Sequence, residues 1–151
     1  VNTSTATNIK LTCNRGTKTL TIKQGKGVID NAAKTVFTRG HCHSFAYALH
    51  ELTGWTIAGV SGDAYSPAHC VVWCAELDDF VDIGGPGAVE REFPPRRYGK
   101  PDIYYYDYEP EAVLNFYAYR DAEVEDAMPF AKTVLTSLKK RIKKAQAKHA
   151  V

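Results

Sequence analysis

The chain has 151 residues, 44% of them hydrophobic and 24% charged, which suits a single globular domain with a buried core of its own. A formal net charge of +2 argues for no polyanionic partner by itself, and no apolar run approaches the roughly 18–20 residues that span a bilayer. The opening VNTSTATN carries neither the basic nor the apolar region of a secretory signal, so a soluble, cytoplasmic protein with no membrane partner is expected.

Residues 1–8 read as a flexible polar N-terminus and residues 9–151 as one domain. Asn8 to Cys13 and Thr19 to Lys23 alternate as two short strands, with Asn14-Arg15-Gly16 as the turn of a hairpin. From Cys42 the apolar residues Phe45, Ala46, Leu49 and Leu52 recur at helical spacing until Gly54, a C′ glycine. His69 to Cys74 and Phe80 to Ile83 are rich in β-branched and aromatic residues and read as consecutive strands. Their turn falls near Glu76 to Asp79, and Gly84-Gly85-Pro86-Gly87 ends the second. A further strand is expected over Asp102 to Tyr106, and helices over about 109–148. The first of these helices starts at Pro110 and carries Val113, Leu114, Phe116 and Tyr117; the last carries Phe130, Val134, Leu138 and Ile142 on one face. The tyrosines Tyr104, Tyr105, Tyr106, Tyr108 and Tyr119, with Phe116 and Tyr117, are expected mostly in the core. Strands and helices are partly segregated, which favours α+β over a doubly wound sheet.

The stretch RGHCHSFAYALH, Arg39 to His50, sets a thiol between two imidazoles just after a glycine. Cys42 opens a helix, where free backbone N–H groups and the positive end of the dipole favour an anion, and a thiol there tends toward the thiolate. A nucleophilic thiolate needs a base in reach, and the base needs an orienting group on its other nitrogen. His69, 27 positions on, and Asp82, 13 further, are the candidates. Two hairpin registers are open. A two-residue turn at Asp78-Asp79 sets Asp82 opposite Ala75, roughly 20 Å from His69, whereas a four-residue loop of Cys74 to Leu77 sets it directly opposite His69.

Cys42 also has a plainer role as an inert buried thiol, and Asp82 one as a cap on the turn into Gly84-Gly85. The four cysteines, Cys13, Cys42, Cys70 and Cys74, are too few and scattered for a disulfide scaffold and are expected reduced. His41, Cys42, His43, His69, Cys70 and Cys74 are ligand types that zinc accepts, but no tight chelating pair is present, and Cys70 and Cys74 share a strand face opposite to that of His69. Neither metal nor cofactor is expected, and His43 and His50 are read as solvent-facing neighbours of Tyr47. The run Lys139 to Lys144 reads as the solvated face of a terminal helix, so nucleic acid is not an expected partner.

A cysteine at a helix start, a histidine opening a strand and an acid on the next strand resemble the papain-like cysteine hydrolase superfamily, including its transglutaminase-like and NlpC/P60-like branches. G-H-C-H-x-F-A-x-A-L-H-x-x-T-G-W, followed by A-H-C-V-V and F-V-D-I-G-G, also resembles small uncharacterised proteins of bacteria and their phages. The resemblance covers a catalytic core of about 39–85 and implies Cys42 as nucleophile, His69 as general base and Asp82 as orienting acid. Where many such peptidases carry an oxyanion-donating glutamine, six positions before the cysteine, this chain has Val36. The oxyanion donors implied are therefore the Cys42 N–H and a second group, with His41 and His43 as candidates. The implied fold is a papain-like core, a cysteine-bearing helix on an antiparallel sheet. The implied activity is hydrolysis or acyl transfer at an amide or thioester bond of a peptide, protein or small amide, as a peptidase, deamidase or transglutaminase. The alternative is a non-catalytic binding or effector protein of the same fold, engaging a host protein or nucleic acid. If phage-encoded, it would act in the host cytoplasm.

Overall fold

The computed structural model describes residues 6–63, 66–95, 102–114 and 124–149. The first two strands, β1 (Ala6–Cys13) and β2 (Gly16–Lys23), pair antiparallel from Cys13↔Gly16 to Ala6↔Lys23. The pairing extends into the stretch expected to be loose. Residues 6–8 find partners in Thr21 to Lys23, and Thr21 Oγ1 donates to Asn8 Oδ1 at 3.3 Å, so their polarity does not keep them out of the ladder. A two-residue turn, Gln24 and Gly25, both at positive φ as a type I′ turn requires, leads to β3 (Lys26–Gly27) at the edge of this three-stranded sheet.

A short helix follows, α1 (Asn31–Val36), capped by Asp30, whose carboxylate accepts the Ala33 N–H at 2.9 Å. The central helix, α2 (Cys42–Thr53), ends at Gly54 with φ 73, the left-handed C′ residue expected there.

The second sheet comprises β4 (Ile57–Asp63), β5 (Ser66–Cys74), β6 (Asp79–Asp82), β7 (Gly85–Pro86) and β8 (Tyr105–Tyr108). It is antiparallel throughout, in the order β7-β6-β5-β4-β8. Helix α3 (Ala88–Glu92) follows β7, α4 (Pro110–Val113) follows β8, and α5 (Val124–His149) is the long terminal helix. The protein is thus mixed α+β with two antiparallel sheets and a C-terminal helix. No helix among the described residues is long and apolar enough to cross a membrane.

Two apolar layers fix the larger sheet. On one side Ile57, Cys70, Val72, Cys74 and Val81 pack with Phe45 and Leu49 of α2 and with Phe130 and Leu138 of α5. On the other side Ala58, Val60 and Val71 meet Ala88 and Val89 of α3, with Phe80 and Phe93 at the margin. The stripe expected on the last helix is real: Phe130, Val134 and Leu138 are buried and Ile142 packs against the core. The tyrosine group departs from its expected core role. Tyr104 is 53% and Tyr105 48% exposed, at the start of β8, the last strand in the sheet order; Phe116, Tyr117 and Tyr119 lie outside the described residues.

The small sheet packs tightly against the helical layer at Gly27. Phe130 lies against Phe37, with ring centroids 5.1 Å apart, and its ring fills the space where a Gly27 side chain would stand. Gly27→Ala is therefore expected to lower the unfolding free energy by about 1–3 kcal/mol through overpacking, read as a reduced urea midpoint at unchanged m-value. An unchanged midpoint would show that the Phe130 ring yields freely.

Candidate active site

The cysteine-bearing helix is placed by the residues just before it. Gly40 has φ 151, a backbone conformation that residues with a side chain rarely adopt, so glycine lets the chain turn into α2 beside Cys13 of β1. Asn14 N–H donates to the Arg39 carbonyl at 2.8 Å, and His41 N–H to the Val36 carbonyl at 3.1 Å. His41 is fully buried, and its Nε2 bonds the Thr12 carbonyl at 2.7 Å. That bond makes His41 a strut between β1 and α2 and removes its Nε2 from oxyanion duty. Cys42 then takes the first helical position, 3% exposed.

The hairpin register is neither of the two open from sequence. Cys74 pairs with Asp79, so the loop holds Ala75 to Asp78: a 3-10 turn over Ala75–Leu77 closed by Asp78 at φ 51. Continuing the ladder from Val72↔Val81 sets Asp82 opposite Val71, two residues from His69 and on the same face of β5. Such diagonal neighbours have Cα atoms about 7–8 Å apart, which an imidazole and a carboxylate can bridge. His69 Nε2 and Asp82 Oδ2 are indeed 2.8 Å apart, the ring fully buried and the Asp82 side chain 6% exposed.

Both oxygens of Asp82 are engaged. Oδ2 faces His69, while Oδ1 accepts the Gly84 N–H at 2.8 Å and Arg91 Nη2 at 2.5 Å. The turn-capping role and the histidine-orienting role therefore coexist on one carboxylate. Arg91, from α3, is itself held by the carbonyls of Pro86 and Gly85, at 2.5 and 3.0 Å. Burial is the largest influence on Asp82 and opposes its ionisation. His69, then Arg91 and the Gly84 N–H outweigh it and hold the carboxyl below its ordinary 3.8.

The remaining nitrogen of His69, Nδ1, has no hydrogen-bond partner among the described residues. The ring nevertheless stands close enough to Cys42 for each to shift the other's ionisation. Burial, again the largest influence, disfavours the imidazolium, but the bond to Asp82 and then the contact with Cys42 prevail, and the pKa is pushed up from 6.5 to about 10. The Cys42 thiol is held well below 9.0, first by a hydrogen bond from Cys70, against the opposing effect of burial, and then by His43 and His69. The two shifts describe a thiolate–imidazolium pair, with Asp82 behind the imidazolium.

His43 and Cys70 depart from their expected surroundings. His43 is 3% exposed and neighbours the Cys42 sulfur rather than facing solvent, because it shares the buried first turn of α2 with Cys42 and Ser44. His50 bonds the Trp55 carbonyl through Nδ1 at 2.6 Å, and its ring lies 6.3 Å from that of Tyr47. Strict alternation would send Cys70 and His69 to opposite faces, yet both reach Cys42. Ser61 and Gly62, next to Val60, the partner of His69 in β4, have φ of 54 and 67, while the β4–β5 pairing continues in register to Asp63↔Ser66. All four cysteines are free thiols. Among the described residues no three His, Cys, Asp or Glu side chains are grouped so as to hold a metal ion.

Arg91, the Gly84 N–H and Cys70 were not picked out as site residues from sequence. Arg91 comes from a short helix without a clear periodic signal, and Gly84 contributes only backbone. Val36 is fully buried, its carbonyl accepting from His41, so the second oxyanion donor does not come from that position. Compared with known proteins, the chain matches no family model, no curated sequence and no solved structure.

Proposed function

We propose that this protein is a cysteine-dependent hydrolase or acyltransferase of papain-like design, acting on an amide or thioester carbonyl. One observation carries the reading: the Cys42 thiol at the mouth of α2 neighbours an imidazole whose far nitrogen is fixed by a buried carboxylate at 2.8 Å. The Cys42 thiolate attacks the carbonyl carbon, forming a C–S bond and pushing the carbonyl electrons onto oxygen. The oxyanion is met by the first-turn N–H groups of α2, beginning with that of Cys42. Collapse of this intermediate breaks the bond to nitrogen or sulfur, and the His69 imidazolium gives its Nδ1 proton to the leaving group. The neutral ring then takes a proton from water or an acceptor amine, which attacks the thioester and frees Cys42. Asp82 stays ionised throughout and holds the ring in its working tautomer.

Cys42 is 3% exposed and His69 fully buried, so a substrate carbonyl reaches the sulfur only when the groups above it move aside. The same burial favours a second reading, a binding protein that keeps the arrangement without turnover. Acyl trapping separates the two. With p-nitrophenyl acetate or a small alkyl thioester, the enzyme reading expects one acyl group per chain on Cys42, found by intact mass and peptide mapping. The adduct is expected to vanish in Cys42→Ala and to accumulate slowly in His69→Gln. Acylation spread over surface lysines, with Cys42 unmodified, would favour the binding protein.

A further inference from the structure

Lysine and arginine are distributed unevenly along the chain. Residues 1–39 hold seven against a single acid, Asp30, and residues 132–148 hold seven against none, while residues 40–131 hold five against sixteen acids. The modest net charge therefore conceals two basic segments, and the fold joins them. Lys26 Nζ donates to Thr136 Oγ1 at 3.3 Å, and Thr133 Oγ1 donates to the Gly27 carbonyl at 2.7 Å.

Where these segments meet, four concavities run into one another. Those of about 600, 240 and 280 Å³ all have Lys34 in their walls; the first two also share Thr38, and the last two share Ile83 and Gly84. A fourth, of about 390 Å³, continues past Pro86 and Arg141 to Lys144 and Lys148. The acids along this groove are already engaged: Asp82 by His69 and Arg91, Glu92 by Arg39, and Asp79 by the N–H groups of Phe80 and Gly87. Six cations, Arg15, Lys18, Lys34, Arg141, Lys144 and Lys148, line it without an acidic partner among the described residues.

We propose that this groove binds double-stranded nucleic acid through the sugar-phosphate backbone, without reading sequence. Cations spread along a groove match a polymer with one charge per about 1.7 Å of axis better than they match a single compact anion. Threonine and serine side chains, Thr35, Thr38 and Ser137, add the neutral donors that phosphate contacts use. None of the lining residues is aromatic, and single strands are held by stacking on aromatic rings, so the duplex is the better fit. This activity does not depend on the Cys42 chemistry.

The test is an anisotropy titration of the full chain with a short labelled duplex over about 50–200 mM salt, beside an oligothymidylate and a poly-glutamate peptide. The duplex is expected to bind tightest, independently of its sequence, with a log–log salt slope of about −4 to −5 for roughly five phosphate contacts. Lys34→Glu with Arg141→Glu, both at exposed positions, is expected to weaken binding at least about tenfold and to reduce the slope by about 2. Lys139→Glu with Lys140→Glu makes the same charge change at exposed α5 positions that do not line the groove, and is expected to do far less. Cys42→Ala is expected to bind as the parent does. A flat salt dependence, equal losses in the two double variants, or tighter binding of oligothymidylate or poly-glutamate would overturn the proposal.

Discussion

Alkylation of Cys42 by iodoacetamide is expected to proceed at a nearly constant rate from pH 6 to 8 in the parent protein. In His69→Ala the rate is expected to rise with pH over the same range. The reason is the state of the sulfur. A thiol with the ordinary pKa of 9.0 is only about 1% ionised at pH 7, whereas the lowered pKa of Cys42 favours the thiolate. Full ionisation raises the reactive fraction about 100-fold. Nucleophilicity falls with basicity at a Brønsted slope of about 0.4–0.5, so a lowered pKa returns part of that gain. The net expectation is that the parent reacts faster at pH 7, with the larger contrast in the shape of the profile. His69 is fully buried, so His69→Gln, which leaves a smaller cavity, should accompany the alanine variant, with a thermal melt of each. Peptide mapping assigns the label, since Cys13, Cys70 and Cys74 are also buried thiols. If Cys42 reacts no faster than Cys13 and follows the same pH curve, the thiolate–imidazolium pair does not exist in solution.

Much of this arrangement could be read from residues, and the parts that could not have specific causes. The α2 helix announces itself through Phe45, Ala46, Leu49 and a terminal Gly54, and the last helix through Phe130, Val134 and Leu138, because a 3.6-residue period survives in any context. Strand β4 was missed: Ile57 to Asp63 contains two glycines and a serine, and Ile57 to Val60 are all buried because both faces of the strand are covered, which leaves no alternation to read. Strand β7 and helix α3 are too short for any periodicity. At the site, Cys42, His69 and Asp82 could be named because their residue types are chemically scarce, but whether they met depended on a hairpin register. That register is set by Asp78 taking a left-handed conformation after a 3-10 turn, a choice that Asp-Asp does not signal as Asn-Gly would. The surroundings of the thiol were harder still. His43 is buried beside Cys42 by the packing of α2 as a whole, and Cys70 meets Cys42 where α2 packs on β5, neither of which a single element can reveal.

Asp82→Asn is expected to damage stability and chemistry together, with a distinctive pH dependence. The carboxylate is 6% exposed and receives three hydrogen bonds, from His69, Arg91 and the Gly84 N–H. Asparagine keeps the shape and one acceptor oxygen but loses the charge, for an expected loss of about 1.5–3 kcal/mol. The alanine variant, which strands the buried imidazolium, is expected to lose about 3–5 kcal/mol. The pH window follows from the directions of the two shifts. Asp82 has a folded pKa below its ordinary 3.8, so its contribution is whole above 3.8 and fades as pH falls through the lowered value. His69 has a folded pKa raised from 6.5 to about 10, so its contribution is whole below 6.5 and fades as pH rises toward 10. The stability gap between parent and Asp82→Asn, from urea titrations, should therefore be widest from about pH 4 to 6.5 and narrow on both sides. The same substitution removes the charge that favours the imidazolium, so the Cys42 alkylation profile should lose its plateau and move toward higher pH. A gap that stays constant up to pH 10 would mean that Asp82 serves only to cap the Gly84 turn. A gap that narrows, with the alkylation plateau lost alongside it, is what an acid acting through His69 on Cys42 requires.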